Sequence, residues 1–183
     1  MTSTVELIKQ TAKYFKKRGI ILPKISELSN PLIIDDEIKY KLNSVDKKAV
    51  DPLNLFRVHW HNSREHNNFL ETPEHIVLPS EFTGVEAKII VNIGKYFPLI
   101  DAHKVLAAYG CLLPRLLNGN FDYSQNKAIW PSTGNYCRGG VAISKILGCK
   151  SIAVLPEGMS RERFAWLEKW VDDPNDIIKT KGT

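Results

Sequence analysis

The sequence lacks the features of a membrane-spanning or exported protein. None of its apolar runs approaches the length needed to cross a bilayer, and it does not open on a charged, apolar and small-residue leader. We therefore expect a cytoplasmic protein without a membrane partner. Hydrophobic residues still make up 43% of the 183 residues, which is enough to build one domain with a substantial core.

Cysteine and histidine are too sparse for a disulfide framework or an obvious metal centre. The three cysteines include no C-x-x-C pair and predict free thiols that are buried or partly buried. His59 and His61 form a cluster with His66 nearby, but no cysteine or carboxylate stands at a recognised ligand spacing. We therefore expect surface or hydrogen-bonded histidines and no metal site.

Motifs for nucleotides and nucleic acids are also missing. The chain contains neither G-x-G-x-x-G nor G-x-x-x-x-G-K-[ST], which argues against a generic nucleotide-binding domain. Its net charge of +5 is thinly spread, and the densest cluster, Lys16-Lys17-Arg18, closes a predicted amphipathic helix whose dipole it complements. Nucleic acid is therefore not an expected partner.

From residue 78 onwards, short apolar runs alternate with amphipathic stretches. The runs predict strands and the longer stretches predict helices. The predicted strands are Ala87–Ile93, Ala128–Trp130, Ile152–Leu155 and Asp176–Ile178, and the helices between them are Ala102–Leu117, one that stops near Gly148, and Arg161–Val171. This alternation predicts an α/β domain over residues 78–183, with a parallel sheet and intervening helices.

Residues 1–77 have a different character and predict a mainly helical or irregular extension. One amphipathic helix is expected over Thr4–Arg18, because apolar residues recur there at spacings of three and four, and Gly19 follows as a cap. Prolines interrupt the remainder. The extension has too few apolar residues to build a core alone, so we expect it to wrap around the following domain.

The stretch Lys127–Glu157 predicts a strand, a polar loop, a helix and a second strand. A connection of this length favours a parallel βαβ unit, in which ligands bind outside the carboxyl ends of the strands. The loop Ser132-Thr133-Gly134-Asn135 lies at that edge. Its small residues let backbone N–H groups approach an anion closely, so the loop is a candidate ligand-binding element.

Lys104 lies in the first turn of the predicted helix Ala102–Leu117. A helix start carries partial positive charge, which lowers the proton affinity of a nearby lysine and suits an anionic ligand. Lys104 is therefore a candidate nucleophilic amine. On this feature alone the more common alternative is a lysine that extends from an apolar helix into water.

Two separated segments together resemble the fold-type II pyridoxal-phosphate enzymes, which include cysteine synthase, threonine synthase and the tryptophan synthase β chain. They are Phe97–Lys104 (FPLIDAHK) and Ser132–Gly140 (STGNYCRGG), and each precedes a helical pattern. Val154–Ser160 (VLPEGMS) is similar to the family's next strand and turn. The resemblance implies a lyase or transferase that acts at the β-carbon of an amino acid, with pyridoxal 5′-phosphate as cofactor. It is most similar to cysteine synthase, which implies β-replacement through an aminoacrylate.

The same resemblance implies roles for individual residues. Lys104 would form the imine with the cofactor and carry the Cα proton of the substrate, while the cofactor ring acts as electron sink. Asn135 would hydrogen-bond the phenolic oxygen of the cofactor. The residues implied to bind the small amino-acid substrate are Ser132, Thr133, Gly134 and Tyr136.

The chain departs from the family pattern in three ways. Ile100-Asp101-Ala102 replaces a glycine-containing tripeptide, so that Asp101 could stabilise the protonated lysine or contact substrate. Tyr136 and Cys137 are bulkier than usual after the asparagine, which alters the expected substrate size. The family's glycine-rich phosphate loop and the residue that faces the pyridine nitrogen do not occur in the sequence. We therefore expect an N-terminal piece of a longer enzyme, or a chain that completes its site as a homo-oligomer or with a separate C-terminal half.

The missing phosphate loop also motivates a second hypothesis of a different class. In it the chain is a truncated or split domain that is catalytically silent and acts as an assembly or binding module. Such a module binds no cofactor, so pyridoxal phosphate binding separates the two hypotheses.

Overall fold

The computed structural model describes residues 3–65 and 68–182, which form a mixed α/β structure. The helices are α1 Thr4–Lys17, α2 Ile25–Ser29, α3 Asp36–Leu42, α4 Ser80–Thr83, α5 Pro98–Asp101, α6 Lys104–Leu117, α7 Asn135–Leu147 and α8 Arg161–Trp170. The strands are β1 His75–Leu78, β2 Ile89–Asn92, β3 Ala128–Pro131, β4 Ser151–Pro156 and β5 Ile177–Thr180. Short 3-10 segments occur at Pro31–Ile33, Pro52–Arg57, Gly94–Tyr96 and Pro174–Asp176.

A parallel sheet with the strand order β3-β4-β5 forms the centre of the C-terminal part. Ala128 of β3 pairs with Ser151 of β4, and Ala153 of β4 pairs with Ile177 of β5. Helix α7 connects β3 to β4, and α8 connects β4 to β5. The α/β prediction is therefore confirmed for these three strands, including the βαβ unit over Lys127–Glu157.

The predicted strand Ala87–Ile93 forms as β2, but the prediction that it joins the parallel sheet is wrong. It pairs antiparallel with β1 in a separate two-stranded sheet, with Leu78 opposite Ile89. The segment 79–88 between the two strands is too short for the crossover that a parallel pair needs. Gly84, with a φ of 68°, ends the single turn of α4 and helps the chain to reverse. The parallel sheet consequently has three described strands instead of four.

Helix α7 packs closely on the sheet because glycine faces the indole of Trp130. A Cβ at Gly140 would lie 2.0 Å from Cδ2 of Trp130, so only glycine fits there. The indole Nε1 donates a hydrogen bond to Ser144 Oγ at 3.0 Å and is satisfied within the core. Gly148 ends the helix in the left-handed conformation at a φ of 70°, as its position in the sequence predicts.

Residues 3–65 contribute to the same hydrophobic core as the sheet and its helices. Phe15, Ile20, Leu55 and Val58 lie in one cluster with the buried residues of α6, α7 and β4. The Tyr14 hydroxyl also donates a hydrogen bond to the carbonyl of Gly148, the residue that ends α7, at 2.8 Å. Burial of these side chains attaches the N-terminal extension to the α/β part.

All three cysteines are free thiols. Cys137 and Cys149 are buried free thiols, as predicted, whereas Cys111 is free but exposed, contrary to the prediction. Cys111 lies on the outward side of α6. The apolar composition of that helix had suggested that this cysteine is buried.

In the two described ranges, no helix is both long and apolar enough to cross a membrane.

Candidate functional site

The loop Ser132-Thr133-Gly134-Asn135 follows β3 and leads into α7, at the carboxyl edge of the sheet. The Ser132 N–H extends the strand pairing by donating to the Val154 carbonyl at 3.1 Å, and the Gly134 N–H donates to Ser132 Oγ at 3.2 Å. Helix α7 begins without a side-chain cap or an acidic residue in its first turn. Its first N–H groups are therefore suited to an anion.

The backbone at Lys104 lies close to α7 because α6 and α7 approach each other at a glycine. A Cβ at Gly139 would be 3.0 Å from the Lys104 carbonyl oxygen and 3.1 Å from the Val105 nitrogen. Gly139 is four residues after Asn135, so both lie on the same side of α7, about one turn of ~5.4 Å apart. The start of α6 is thus brought next to the loop.

The Lys104 side chain is exposed and, among the described residues, forms no ion pair. Lys104 is the first residue of α6 and follows the cap residue His103. The helix thus begins two residues later than the predicted start at Ala102. The His103 ring stacks on Trp60 of the extension with ring centres 5.3 Å apart. The lysine amine is therefore accessible to solvent. The contact between His103 and Trp60 holds the start of α6 against the extension.

Asp101 is paired with the extension. Its Oδ1 lies 2.6 Å from Lys47 Nζ and its Oδ2 lies 2.9 Å from Lys48 Nζ. Burial raises the pKa of Asp101, but hydrogen bonds from the two lysines outweigh this and hold the pKa below its ordinary value. Among the described residues, the ion pairs of Asp101 are with Lys47 and Lys48 and not with Lys104, so the predicted pairing with Lys104 does not form.

Tyr136 differs in position from the other predicted substrate-binding residues. Its ring meets Trp130 edge to face, and its hydroxyl donates to Cys111 Sγ at 3.3 Å. It lines a cavity of about 620 Å³ with Trp130 and Cys111, between α6 and β3. Ser132, Thr133 and Asn135 do not line this cavity.

The two described histidines of the cluster, His59 and His61, form hydrogen bonds within the protein. His59 is buried, and its Nδ1 accepts a hydrogen bond from the His61 backbone N–H at 3.1 Å. Burial, and to a smaller extent the neighbouring His61, lower the pKa of His59 to about 3. His66 lies outside the described residues. Among the described residues, no three His, Cys, Asp or Glu side chains are grouped to hold a metal ion.

Two arginines beside the loop are absent from the sequence-based site. Arg163 donates from Nη1 to the Thr133 carbonyl, and Arg138 Nη1 lies 3.4 Å from Asn135 Oδ1. The signal was available, because Arg138 follows Asn135 at the helical spacing of three. Arg163 likewise lies in the first turn of the helix after β4, at the same edge of the sheet.

Comparison with known proteins adds no family to these observations: no protein-family model matches the chain, and no curated protein matches it. The functional interpretation therefore depends on the residues and their geometry.

Proposed function

We propose that this chain carries part of the site of a pyridoxal-phosphate-dependent lyase or transferase that acts at the β-carbon of an amino acid. The observation that supports it best is the close approach of the Lys104 backbone to Gly139, one helical turn past the Ser132–Asn135 loop. We infer a β-replacement similar to that of cysteine synthase, with a sulfur nucleophile as the incoming group. Part of the site would come from outside the residues present here.

Lys104 and the start of α7 are suited to two groups of such a site, the cofactor aldehyde and the substrate carboxylate. An aldehyde cofactor requires an accessible amine, and Lys104 is exposed and has no ion-pair partner among the described residues. The uncapped start of α7 offers N–H donors to a carboxylate. Gly139 lets α7 and the backbone at Lys104 approach closely, and a Cβ at this position would push them apart.

When bound, pyridoxal phosphate would supply an electron sink for negative charge at the substrate Cα. Lys104 Nζ would hold the cofactor and then move the Cα proton to and from the substrate. The Asn135 amide would donate a hydrogen bond to the phenolic oxygen of the cofactor. The Ser132 hydroxyl, which accepts from Gly134, retains its own proton and would donate it to the substrate carboxylate together with the Thr133 hydroxyl.

Absorbance on addition of pyridoxal phosphate tests the role of Lys104. We expect wild type to gain a band near the visible edge, Lys104→Ala to lose it, and Lys169→Ala to keep it, since Lys169 is an exposed lysine far along α8. Borohydride reduction followed by peptide mapping should find the pyridoxyl group on Lys104. Identical spectra for wild type and Lys104→Ala, or a label on other lysines, would contradict the assignment.

The catalytically silent assembly module is the second candidate, and one observation favours it. Ile129 and Ile178 on the parallel sheet are 60% and 45% exposed, which is apolar surface that a partner would cover. A silent module binds no cofactor, so the same absorbance experiment decides between the two functions.

A further inference from the structure

Two guanidinium groups border the loop that is proposed to hold the substrate. Arg163, in the first turn of α8, donates to the Thr133 carbonyl. Arg138, near the start of α7, approaches the Asn135 amide oxygen at 3.4 Å. The two arginines contact residues two positions apart in the loop, and, beyond the effect of burial, the charge of Arg163 contributes to lowering the pKa of Arg138. Both are partly buried.

Aromatic stacking fixes the position of Arg138. Its Cζ lies 4.5 Å from the centre of the Trp166 ring, and Trp166 stacks on Trp170 with ring centres 4.8 Å apart at 15°. The Arg138 Nε is buried and has no hydrogen-bond partner in the described structure. Stacking on Trp166 therefore fixes the orientation of the guanidinium, and its Nε–H donor has no partner among the described residues.

The charge of the arginine pair is not balanced by a dedicated carboxylate. None of the ion pairs formed by the described residues includes Arg138 or Arg163. Burial and the charge of Arg163 lower the pKa of Arg138, and Asp101 is the carboxylate that opposes this. Asp101, however, is already paired with two lysines of the extension. Two neighbouring cations in a partly buried place are best stabilised by a bound anion.

We propose that Arg138 and Arg163 bind a second anionic group of the substrate, so that the site takes an amino acid whose side chain carries an oxyanion. This rests on the proposed function, because it assumes that the α-carboxylate of the substrate occupies the adjacent Ser132–Asn135 loop. Guanidinium groups match oxyanions by two-point hydrogen bonds. A neutral side chain would leave both charges unpaired, so the arginines favour an anionic substrate over a neutral one.

Titration calorimetry with O-phospho-L-serine and L-serine tests the proposal on the protein without cofactor. We expect O-phospho-L-serine to bind at least roughly tenfold more tightly than L-serine, because it alone reaches both arginines. Arg138→Gln and Arg163→Gln should each weaken O-phospho-L-serine about tenfold or more. Arg161→Gln removes the same charge from an exposed position on α8 and should leave its affinity unchanged.

A second variant guards against a folding defect at Arg138, which packs on Trp166. Arg138→Lys keeps the charge but lacks the two-point fork, so we expect an intermediate affinity with an unchanged thermal midpoint. Equal affinities for the two ligands, or arginine variants that bind O-phospho-L-serine like wild type, would overturn the proposal. A loss of pyridoxal phosphate affinity in both glutamine variants, with the preference for O-phospho-L-serine intact, would also overturn it, since the arginines would then hold the cofactor phosphate.

The two proposals fail in different measurements. A wild-type protein that gains the cofactor band but does not distinguish the two serines would overturn only the arginine site. A protein that prefers O-phospho-L-serine through Arg138 and Arg163 but shows no Lys104-dependent band would support the arginine site and contradict the cofactor assignment.

Discussion

Lys47→Met tests how the N-terminal extension stabilises the segment that precedes Lys104. The Lys47 amine pairs with Asp101 at 2.6 Å, and its backbone carbonyl accepts the Leu99 N–H at 2.8 Å. Leu99 and Asp101 have φ values of 68° and 53°, in the left-handed region that residues with side chains rarely adopt. Contacts from the extension must therefore offset the cost of this backbone conformation.

The expected loss of stability follows from how far each ion pair is shielded from water. The Lys47 side chain is 16% exposed, whereas that of Lys48, 2.9 Å from the same carboxylate, is 58% exposed. A shielded hydrogen bond between charged groups contributes about 1.5–3 kcal/mol, and an exposed ion pair about 0.2–1 kcal/mol. Because Asp101 is itself partly exposed, we expect Lys47→Met to lower the free energy of unfolding by about 1.5 kcal/mol. Lys48→Met should lower it by less than about 1 kcal/mol.

Urea unfolding followed by circular dichroism at pH 7 measures these differences. Lys13→Met, at an exposed position of α1 without an ion pair in the described structure, is the matched control. Asp101→Asn completes a double-mutant cycle with Lys47→Met, since asparagine tolerates the positive φ at this position. The reasoning would be refuted if Lys47→Met cost no more than Lys48→Met and if the cycle gave no coupling.

The pH dependence of stability provides an independent check on the same pair. The folded pKa of Asp101 lies below its unfolded value of about 3.9. A depressed carboxylate pKa adds stability above the unfolded pKa, and this stability is lost as the pH falls through the folded pKa. Below about pH 4, wild type should therefore lose more stability than the Lys47→Met/Asp101→Asn variant. Parallel losses in the two proteins would be inconsistent with this ion pair.

Two further substitutions address the helix contact and the buried histidine. Gly139→Ala should lower the free energy of unfolding by about 1–3 kcal/mol and weaken the cofactor band, because its Cβ would press on the Lys104 carbonyl. Gly110→Ala in α6, where nothing lies within 4 Å, should raise it by up to about 1 kcal/mol, and equal effects in urea unfolding would contradict this reasoning. Burial lowers the folded pKa of His59 to about 3, below the unfolded value of about 6.5, so stability should fall as the pH drops through this window. His59→Gln should flatten that dependence in thermal unfolding, and an unchanged slope would exclude His59 as its source.

Local signals in the sequence were sufficient for the elements that form the parallel sheet. The alternation of apolar runs and helices predicted β3, α7, β4 and α8 within a few residues of their bounds. Gly148 predicted the end of α7, where its φ of 70° requires glycine. These elements were predictable because periodicity and capping depend on neighbours along the chain.

The placement of β2 was not predictable from the same signals. Its β-branched residues predicted a strand, but the partner depends on β1, a four-residue run between two prolines that the sequence did not identify as a strand. Composition does not distinguish a strand of a hairpin from a strand of a parallel sheet. Only the short connection between β1 and β2 excludes the parallel arrangement.

The candidate site divides in the same way between local and distant contacts. Lys104 and the Ser132–Asn135 loop were predicted from short motifs, whereas Arg138 was missed although its helical spacing to Asn135 was visible in the sequence. The pairing of Lys47 and Lys48 with Asp101 joins segments that are far apart in the chain, and any exposed lysine would have been an equal candidate partner.

Gly139 belongs to a local sequence motif, but its role depends on a contact with a distant segment. In the sequence it is one of two adjacent glycines in a small-residue motif, and neither shows a separate role. In the structure Gly140 admits the Trp130 ring, while Gly139 admits the backbone at Lys104. Adjacent positions on a helix point about 100° apart, so one glycine sets the helix against the sheet and the other sets it against the lysine. The two adjacent glycines therefore let α7 approach β3 on one side and the start of α6 on the other, which explains why the motif contains two glycines.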